Sequence, residues 1–255
     1  MKGVFITATD TGAGKTVFGL LLGSYLKKKN ILFKVIKPFE TGCLEKNGNL
    51  IPYDGFLYKF VLGLAPPLKK IVPFRFTKPL APYQASIIDK NPIDLKSVLG
   101  QISKEFDDET FYIFEGAGGL FVPLDENYFV IDLIKFLKLP VLIVSTNKLG
   151  TINHTLLTVE ALKTRGIKLA GVVLNNTENK NEISKDLNCD YFSKTFGNLY
   201  LGNIPFIKEI YEINKKLHLL IDKKLKIGIK EICGICVHLA DIFEEFIATD
   251  KFKLF

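Results

Sequence analysis

The feature that most constrains the fold is a short loop at residues 9–16, which reads TDTGAGKT and lies between an apolar run and an amphipathic segment. A strand, a glycine-rich loop, a GKT step and a helix, in that order, are the context of a phosphate-binding loop. Thr9 stands where the usual GxxxxGKS/T pattern has its first glycine, so this loop is a variant. Backbone N–H groups and the helix N-terminus hold phosphate oxygens in such loops. The sequence therefore predicts a P-loop protein that binds ATP or GTP.

Two side chains at the end of this loop carry specific chemistry. Lys15 would place its charge beside the β- and γ-phosphates, and the Thr16 hydroxyl would ligate Mg²⁺. A glycine-rich turn without a ligand is the alternative, but strand, loop and helix all agree with phosphate binding. The predicted nucleotide contacts in this segment are Gly12, Ala13, Gly14, Lys15, Thr16 and Val17.

Apolar runs of strand length alternate with helical patterns along the chain. The runs are nearly continuous, as expected for parallel strands buried on both faces, and lie at residues 3–7, 33–36, 111–114, 141–145 and 169–174. Helical patterns follow at residues 16–28, 95–106, 130–137 and 154–164. Between them, residues 42–92 are rich in Pro, Gly and Asn and predict short helices and loops. We therefore expect an α/β fold of the P-loop NTPase type, with a doubly wound, mostly parallel sheet flanked by helices.

The pattern changes after Pro205 to Lys/Ile/Leu-rich helical segments, which end in an amphipathic stretch at residues 239–247. We divide the chain into a P-loop domain at residues 1–207 and a helical C-terminal extension at residues 208–255, whose role the sequence does not indicate. Every candidate site residue precedes residue 207, so we expect the extension to lie apart from the chemistry. Its Cys233 and Cys236 are half of a structural zinc site, and free thiols are the simpler interpretation.

Charge and composition exclude several classes of protein. The net charge of +7, from 34 Lys+Arg and 27 Asp+Glu, favours an anionic ligand. The lysines are spread along the chain, and their densest cluster, at residues 215–230, is typical of a solvated face, so we expect no nucleic-acid partner. We also expect no membrane partner and a cytoplasmic location, because the chain has no apolar run of roughly 18 residues, no signal-peptide pattern and no disulfide framework.

Six segments, in their order and spacing, resemble the dethiobiotin synthetase family, which catalyses the penultimate step of biotin biosynthesis. They are residues 9–11 with 14–16, 37–38 with 41–42, 115–119 with 122–124, 148–154, 171–176, and 201–202 with 204–205. The resemblance covers residues 4 to 206. It implies an ATP-dependent cyclo-ligase that joins CO₂ and 7,8-diaminopelargonate into the cyclic urea of dethiobiotin, through a carbamate and a carbamic-phosphoric anhydride.

The resemblance assigns Lys15 and Lys37 to the stabilisation of negative charge on carbamate and phosphoryl oxygens. Lys37 precedes Pro38 at a strand end, which aims it at the crevice, although a solvated lysine is the alternative. Thr16, Asp54 and Glu115 match the family's Mg²⁺ site, and their hard oxygens suit that ion. Asp54 has a second interpretation, as a loop residue that begins a turn.

The resemblance also implies contacts for the base and the substrate. Asn175 matches the family residue that reads the adenine edge, although a turn residue at a strand end is the alternative. Further implied nucleotide contacts are Asp54, Glu115, Gly116, Ala117, Gly118, Asn176, Ile204, Pro205 and Phe206. The implied substrate contacts are Thr11, Thr41, Gly118, Gly150, Thr151, Ile152 and Asn153. Residues 150–153 would hold the substrate's carboxylate tail across a homodimer interface, or Asn153 would merely cap its own helix.

Two other kinds of P-loop ATPase compete with this interpretation. Amide synthases that activate cobyrinic or cobyric acid carry a glutaminase domain, for which this chain has no room. Partitioning or regulatory ATPases have a loop lysine near the position of Asp10, where this chain has an acid. Both alternatives fit the residues less well than the dethiobiotin synthetase reading.

Overall fold

The computed structural model describes residues 1–104, 106–180, 182–216, 221 and 229–247. The strands in this part of the chain are β1 (Lys2–Ala8), β2 (Phe33–Ile36), β3 (Phe39–Glu40), β4 (Leu44–Lys46), β5 (Asn49–Ile51), β6 (Phe74–Arg75), β7 (Phe111–Glu115), β8 (Val141–Thr146), β9 (Leu169–Asn175) and β10 (Tyr200–Ile204). The helices are α1 (Lys15–Lys28), α2 (Tyr53–Leu62), α3 (Leu68–Ile71), α4 (Pro82–Ile88), α5 (Leu95–Ser103), α6 (Val130–Leu137), α7 (Thr151–Thr164), α8 (Ile183–Phe196), α9 (Lys208–Lys215) and α10 (Ile229–Phe246).

A parallel sheet forms the centre of the molecule, and its described strands have the order β10-β9-β8-β1-β7-β2. The two faces of β1 pack into different cores. Val4 and Ile6 lie with Phe18 of α1, whereas Phe5 lies with Phe114 and Ile131. All five predicted strands belong to this sheet, so the predicted fold class is confirmed.

The sequence pattern misses helix α8, strand β10 and the short strands β3 to β6, and it misplaces two helix ends. It does not indicate β10, because Gly202 and Asn203 interrupt the apolar run there. Helix α5 ends at Ser103 rather than at residue 106. Helix α7 begins at Thr151 rather than at residue 154, because Gly150, with φ 91°, forms its N-cap. Gly150 therefore belongs to the start of the helix and not to the loop before it.

The segment at residues 42–92 contains short helices, as its composition predicts, and also short strands, which it does not predict. Strands β4 and β5 form an antiparallel hairpin, and β3 pairs with β6. Helix α2 follows directly after Pro52 and carries Asp54 in its first turn. The interpretation of Asp54 as a loop residue is therefore wrong, because α2 begins one residue before it.

The C-terminal helix α10 packs against α1 and shares its core. Phe243 is fully buried, and its ring stacks on Tyr25 with a centroid distance of 4.8 Å. At the surface, Lys28 donates hydrogen bonds to the carboxylates of Asp241 and Glu244, at 2.7 and 2.5 Å. The structure describes two helices in the extension, α9 and α10, and the division at residue 207 stays a prediction.

Two features of the extension remain outside the description. Cys236 is buried, with its Sγ 3.4 Å from Ser24 Oγ, but the side chain of Cys233 lies outside the described residues. Most of the lysine cluster at residues 215–230 lies there too. Among the helices that the structure describes, none combines the length and apolar character that a bilayer crossing demands.

The packing of α10 predicts a large loss of stability for Phe243→Ala. Removal of a buried phenylalanine ring typically costs about 3–5 kcal/mol. We expect a loss of that size in the free energy of unfolding, measured by urea denaturation. Val237→Ala, on the exposed face of the same helix, is the control and should change stability by less than about 0.5 kcal/mol. Equal stability of the two variants would show that α10 is not part of the core.

Candidate active site

A cleft of about 550 Å³ opens at the carboxyl ends of β1 and β7. The next strand of this sheet after β1 is β2, and the next after β7 is β8. These two strands lie on opposite sides of the β1–β7 pair, so the carboxyl ends of β1 and β7 are a switch point of the topology. Parallel α/β sheets bind ligands at such points. Twelve of the predicted site residues line the cleft: Thr11, Gly12, Gly14, Lys15, Thr16, Val17, Lys37, Thr41, Asp54, Glu115, Ala117 and Gly118.

The phosphate loop has the backbone that its glycines permit. Gly14 is the N-cap of α1 and has a left-handed conformation with φ 99°. A Cβ atom on Gly14 would lie 2.0 Å from Asn175 Nδ2, so a side chain there would also displace Asn175. Asn175 Nδ2 in turn donates a hydrogen bond to the carbonyl oxygen of Ala13 at 2.9 Å. Asn175, at the end of β9, therefore supports the phosphate loop through this hydrogen bond.

Three ionised side chains meet beside the loop. Lys37 Nζ donates hydrogen bonds to Glu115 Oε1, at 2.7 Å, and to Asp54 Oδ2. Thr16 Oγ1 donates to the same Glu115 Oε1 at 2.9 Å. Glu115 is fully buried and Lys37 nearly so, whereas the side chain of Asp54 is one-third exposed. Buried charges are tolerated when they are paired in this way.

The charges in the cleft shift one another's pKa values. Burial acts to lower the pKa of Lys37, but the negative charges of Asp54 and Glu115 outweigh it and raise the pKa above its usual value. Burial also opposes ionisation of Asp54, yet the attraction of Lys37 lowers the pKa of that carboxyl. For Lys15, burial is the dominant cause and lowers the pKa to about 8. An anionic ligand beside Lys15 would favour its charged form.

The donor set at this point fits a hard divalent cation. One hydroxyl, from Thr16, and two carboxylates, from Asp54 and Glu115, supply oxygen atoms within one hydrogen-bonded cluster. Mg²⁺ commonly takes one or two carboxylates together with water and substrate phosphates. Among the described residues, no group of three or more His, Cys, Asp and Glu side chains is placed to hold a metal ion. Thr16, Asp54 and Glu115 are therefore the candidate metal site.

Two functional side chains escape the sequence reasoning. Glu40 is buried and accepts hydrogen bonds from the backbone N–H groups of Asp54, at 2.8 Å, and Gly55, at 3.1 Å. Burial, followed by the charge of Asp54, raises the pKa of Glu40 to about 8. Tyr58 Oη donates to Glu115 Oε2 at 2.5 Å. Tyr58 follows Asp54 by four residues, so the two lie on the same face of a helix. This spacing is the one sequence signal that points to Tyr58.

A second cavity, of about 130 Å³, adjoins the phosphate loop on the side of β9 and β10. Asn175, Asn176, Pro205 and Phe206 line it, whereas Ile204 and Gly116 are buried and line neither cavity. Within the described structure, Asn176 Oδ1 is buried and lacks a hydrogen-bond partner.

Residues of the C-terminal extension also line these cavities. Ile210 and Asn214 of α9 contribute to both, and Tyr211 contributes to the second. The expectation that the extension lies apart from the site is therefore wrong for α9. The sequence could not show the contact of α9 with the cleft, because that contact depends on the direction that the chain takes in the turn after β10.

Residues 150–153 form the N-terminal turn of α7 and do not line either cavity. Thr151 is buried, with its Oγ1 2.7 Å from Ser145 Oγ, and Asn153 is exposed. The alternative that Asn153 caps α7 is wrong, because Gly150 is the N-cap and has no side chain to form a cap. This turn therefore lies apart from the cleft of the same chain.

Comparison with known proteins identifies the family. The profile of the AAA domain matches residues 2–214. A relative from Thermodesulfovibrio yellowstonii, named ATP-dependent dethiobiotin synthetase, is 39% identical over 82% of this chain and 90% of its own length. The chain belongs to the dethiobiotin synthetase family. It is an enzyme of that family, and relatives of the same name from Bacillus licheniformis and Methanococcus vannielii are 38% and 35% identical, over 82% and 85% of this chain and 88% and 99% of theirs.

Solved structures agree on the fold of this dethiobiotin synthetase family member. A plasmid partition protein from Borrelia burgdorferi, bound to AMPPNP, has a TM-score of 0.51 and 15% identity, with 96% of this chain and 98% of that chain covered. A ParA family ATPase from Chlorobium tepidum has the same TM-score and 14% identity, with 94% and 97% covered. At such low identity the likeness shows the P-loop fold alone.

Proposed function

We propose that this enzyme joins CO₂ and 7,8-diaminopelargonate, with cleavage of ATP, into dethiobiotin, ADP and phosphate. The observation that carries the proposal is the convergence of Lys15, Lys37, Asp54 and Glu115 beside a phosphate loop in a chain of this family. The reaction builds negative charge on carbamate and phosphoryl oxygens. Two buried lysines, with a cation held by two acids, are suited to offset that charge.

The proposed mechanism has three steps. One amine of the substrate takes up CO₂ as a carbamate, and a carbamate oxygen then attacks the γ-phosphate of ATP. The second amine attacks the carbonyl carbon of the mixed anhydride, closes the ring and releases phosphate. The chain's own part is to hold the reactants in line and to exclude water from the anhydride.

Lys37 acts in this proposal as a permanent cation. Its raised pKa keeps the ammonium group protonated through the neutral range, so it serves electrostatically and not as a general base. The pairing with Glu115 and Asp54 also fixes the place of the charge before substrates bind. A charge that is already in place needs no reorganisation when the transition state forms.

Thr16, Asp54 and Glu115 would hold Mg²⁺, which supplies neutralising charge at the nucleotide's phosphate oxygens. The second cavity would take the adenine base. Asn175 and Asn176 lie there, and side-chain amides offer both donors and acceptors for the edge of a base.

The enzyme is proposed to be a homodimer with shared sites. Large apolar side chains beside the N-terminal turn of α7 are exposed: Leu149 is 88% exposed and Ile183 of α8 is 82% exposed, with Leu157 and Leu187 also open. Exposed apolar patches of this kind often mark protein interfaces. The free N–H groups of that turn would bind the substrate's carboxylate tail from the partner's side.

The chemistry is tested by an assay with Lys37→Met. The wild-type enzyme should form dethiobiotin from diaminopelargonate, bicarbonate and Mg-ATP, with one ADP for each product and no stimulation by DNA or lipid. Lys37→Met should lower kcat by about 10²–10³, with the dissociation constant of an ATP analogue changed less than threefold, since one preorganised charge is lost.

Lys34→Met is the matched control, because Lys34 lies on β2, three residues before Lys37, with its side chain partly exposed, and it should keep near-normal turnover. A Lys37→Met enzyme with a normal rate would remove this lysine from the mechanism. ATP turnover that responds to DNA or lipid, without dethiobiotin, would favour the partitioning ATPase instead.

Shared sites are tested by mixing two inactive variants. Lys37→Met removes the charge in the cleft, and Gly150→Glu places an acid and a strained residue at the turn that is proposed to bind the tail. A mixed dimer contains one cleft with both intact parts, so a 1:1 mixture should recover about a quarter of wild-type activity. Subunit exchange demonstrated by mass spectrometry, with no recovered activity, would contradict the shared site.

A further inference from the structure

Both carboxylate oxygens of Glu115 accept hydrogen bonds from side chains. Its Oε1 accepts hydrogen bonds from Thr16, at 2.9 Å, and Lys37, at 2.7 Å. Its Oε2 accepts from Tyr58 Oη at 2.5 Å, with both residues fully buried. The hydroxyl of Tyr58 thus binds the carboxylate on the side turned away from Thr16 and Lys37.

The neighbouring backbone leaves room for this hydroxyl. Gly19 lies one turn after the phosphate loop in α1, and a Cβ atom on it would come within 1.8 Å of Tyr58 Oη. Any side chain at position 19 would therefore push the hydroxyl off Glu115. Residues of α1, α2 and β7 therefore lie together at the hydroxyl oxygen of Tyr58.

Packing of the ring alone does not account for the hydroxyl. The Tyr58 ring packs in the core beneath α1 and α2, which a phenylalanine ring would also do. A buried hydroxyl is costly unless it is paired, and here its partner is a buried carboxylate. Burial, and then the charge of Glu115, raises the pKa of Tyr58 well above its usual value, so the phenol keeps its proton and donates it.

We propose that Tyr58 is a positioning residue that fixes the rotation of the Glu115 carboxylate, so that Oε1 faces Thr16 and the phosphate loop. The terminal torsion of a glutamate is soft, and a second hydrogen bond on the far oxygen restricts it. This inference rests on the proposed metal site of Thr16, Asp54 and Glu115. It predicts that the Tyr58 hydroxyl governs how well the site takes Mg²⁺, while leaving the rest of the nucleotide site intact.

The test is Tyr58→Phe, which removes one oxygen atom and keeps the ring. Binding of a non-hydrolysable ATP analogue is titrated with Mg²⁺ and, separately, measured in EDTA. We expect the Mg²⁺ concentration for half-saturation to rise about tenfold, as for the loss of one charge-assisted hydrogen bond, with affinity in EDTA within twofold of wild type. The control is Tyr53→Phe in the first turn of α2, a half-buried position outside the cleft, which should change neither value.

A folded Tyr58→Phe enzyme with unchanged Mg²⁺ dependence overturns the proposal, as does an equal loss of affinity with and without Mg²⁺. If Tyr58→Phe does not fold, Gly19→Ala gives the answer, because it displaces the hydroxyl but leaves it available for pairing. Gly23→Ala is its control, since its Cβ would crowd Leu62 of α2 and not Tyr58. Gly19→Ala should raise the Mg²⁺ requirement and Gly23→Ala should not; equal effects overturn the proposal.

These binding measurements use no diamine, so they stand apart from the proposed reaction. A wild-type enzyme that forms no dethiobiotin would contradict the reaction without touching the role of Tyr58. Conversely, normal product formation by wild type, combined with an unchanged Mg²⁺ dependence in Tyr58→Phe, would remove Tyr58 alone.

Discussion

The pairing of Lys37 with Glu115 and Asp54 is the interaction on which the rest of the site depends. Each of the three comes from a different element: Lys37 from the segment after β2, Glu115 from the end of β7 and Asp54 from the first turn of α2. A single buried charge among them would be strongly unfavourable, but together they are paired. The arrangement therefore holds three elements in place and concentrates charge beside the phosphate loop.

Residues outside this cluster hold its members in position. Glu40 binds the N-terminus of α2 and so sets the position of Asp54. Asn175 supports the phosphate loop from β9, through the carbonyl oxygen of Ala13. On the outer face, α10 covers α1, with Phe243 buried between them. The C-terminal segment is thus linked to the site by packing through α10 and by direct contact through α9.

The features that sequence predicted are those with local patterns. The order of strand, glycine-rich loop and helix around Lys15 is contained in a few consecutive residues, and the buried parallel strands are nearly continuous apolar runs. Their C-terminal ends had to meet at one edge, which brought Glu115 to the phosphate loop. The resemblance to a family added Lys37, Asp54 and the segment around Asn175, and the structure places these residues in or beside the two cavities.

The features that sequence missed depend on contacts between distant elements. Tyr58 and Glu115 are 57 residues apart, and no local pattern announces their hydrogen bond. The helical start of α2 at Pro52 and of α7 at Gly150 depends on caps without a polar side chain, so the usual capping residues gave no signal. The return of α9 to the cleft is likewise a property of the chain path.

The central claim is that the cleft couples cleavage of ATP to a carbamate oxygen, and an oxygen-transfer measurement tests it most directly. The enzyme is mixed with diaminopelargonate, Mg-ATP and CO₂ labelled with ¹⁸O, and stopped within seconds, before the label exchanges with water. The released phosphate is then analysed by mass spectrometry. The account predicts one labelled oxygen in each phosphate formed, because the carbamate oxygen that attacks the γ-phosphate leaves with it. Phosphate without label, formed at the same rate as dethiobiotin, would contradict the account.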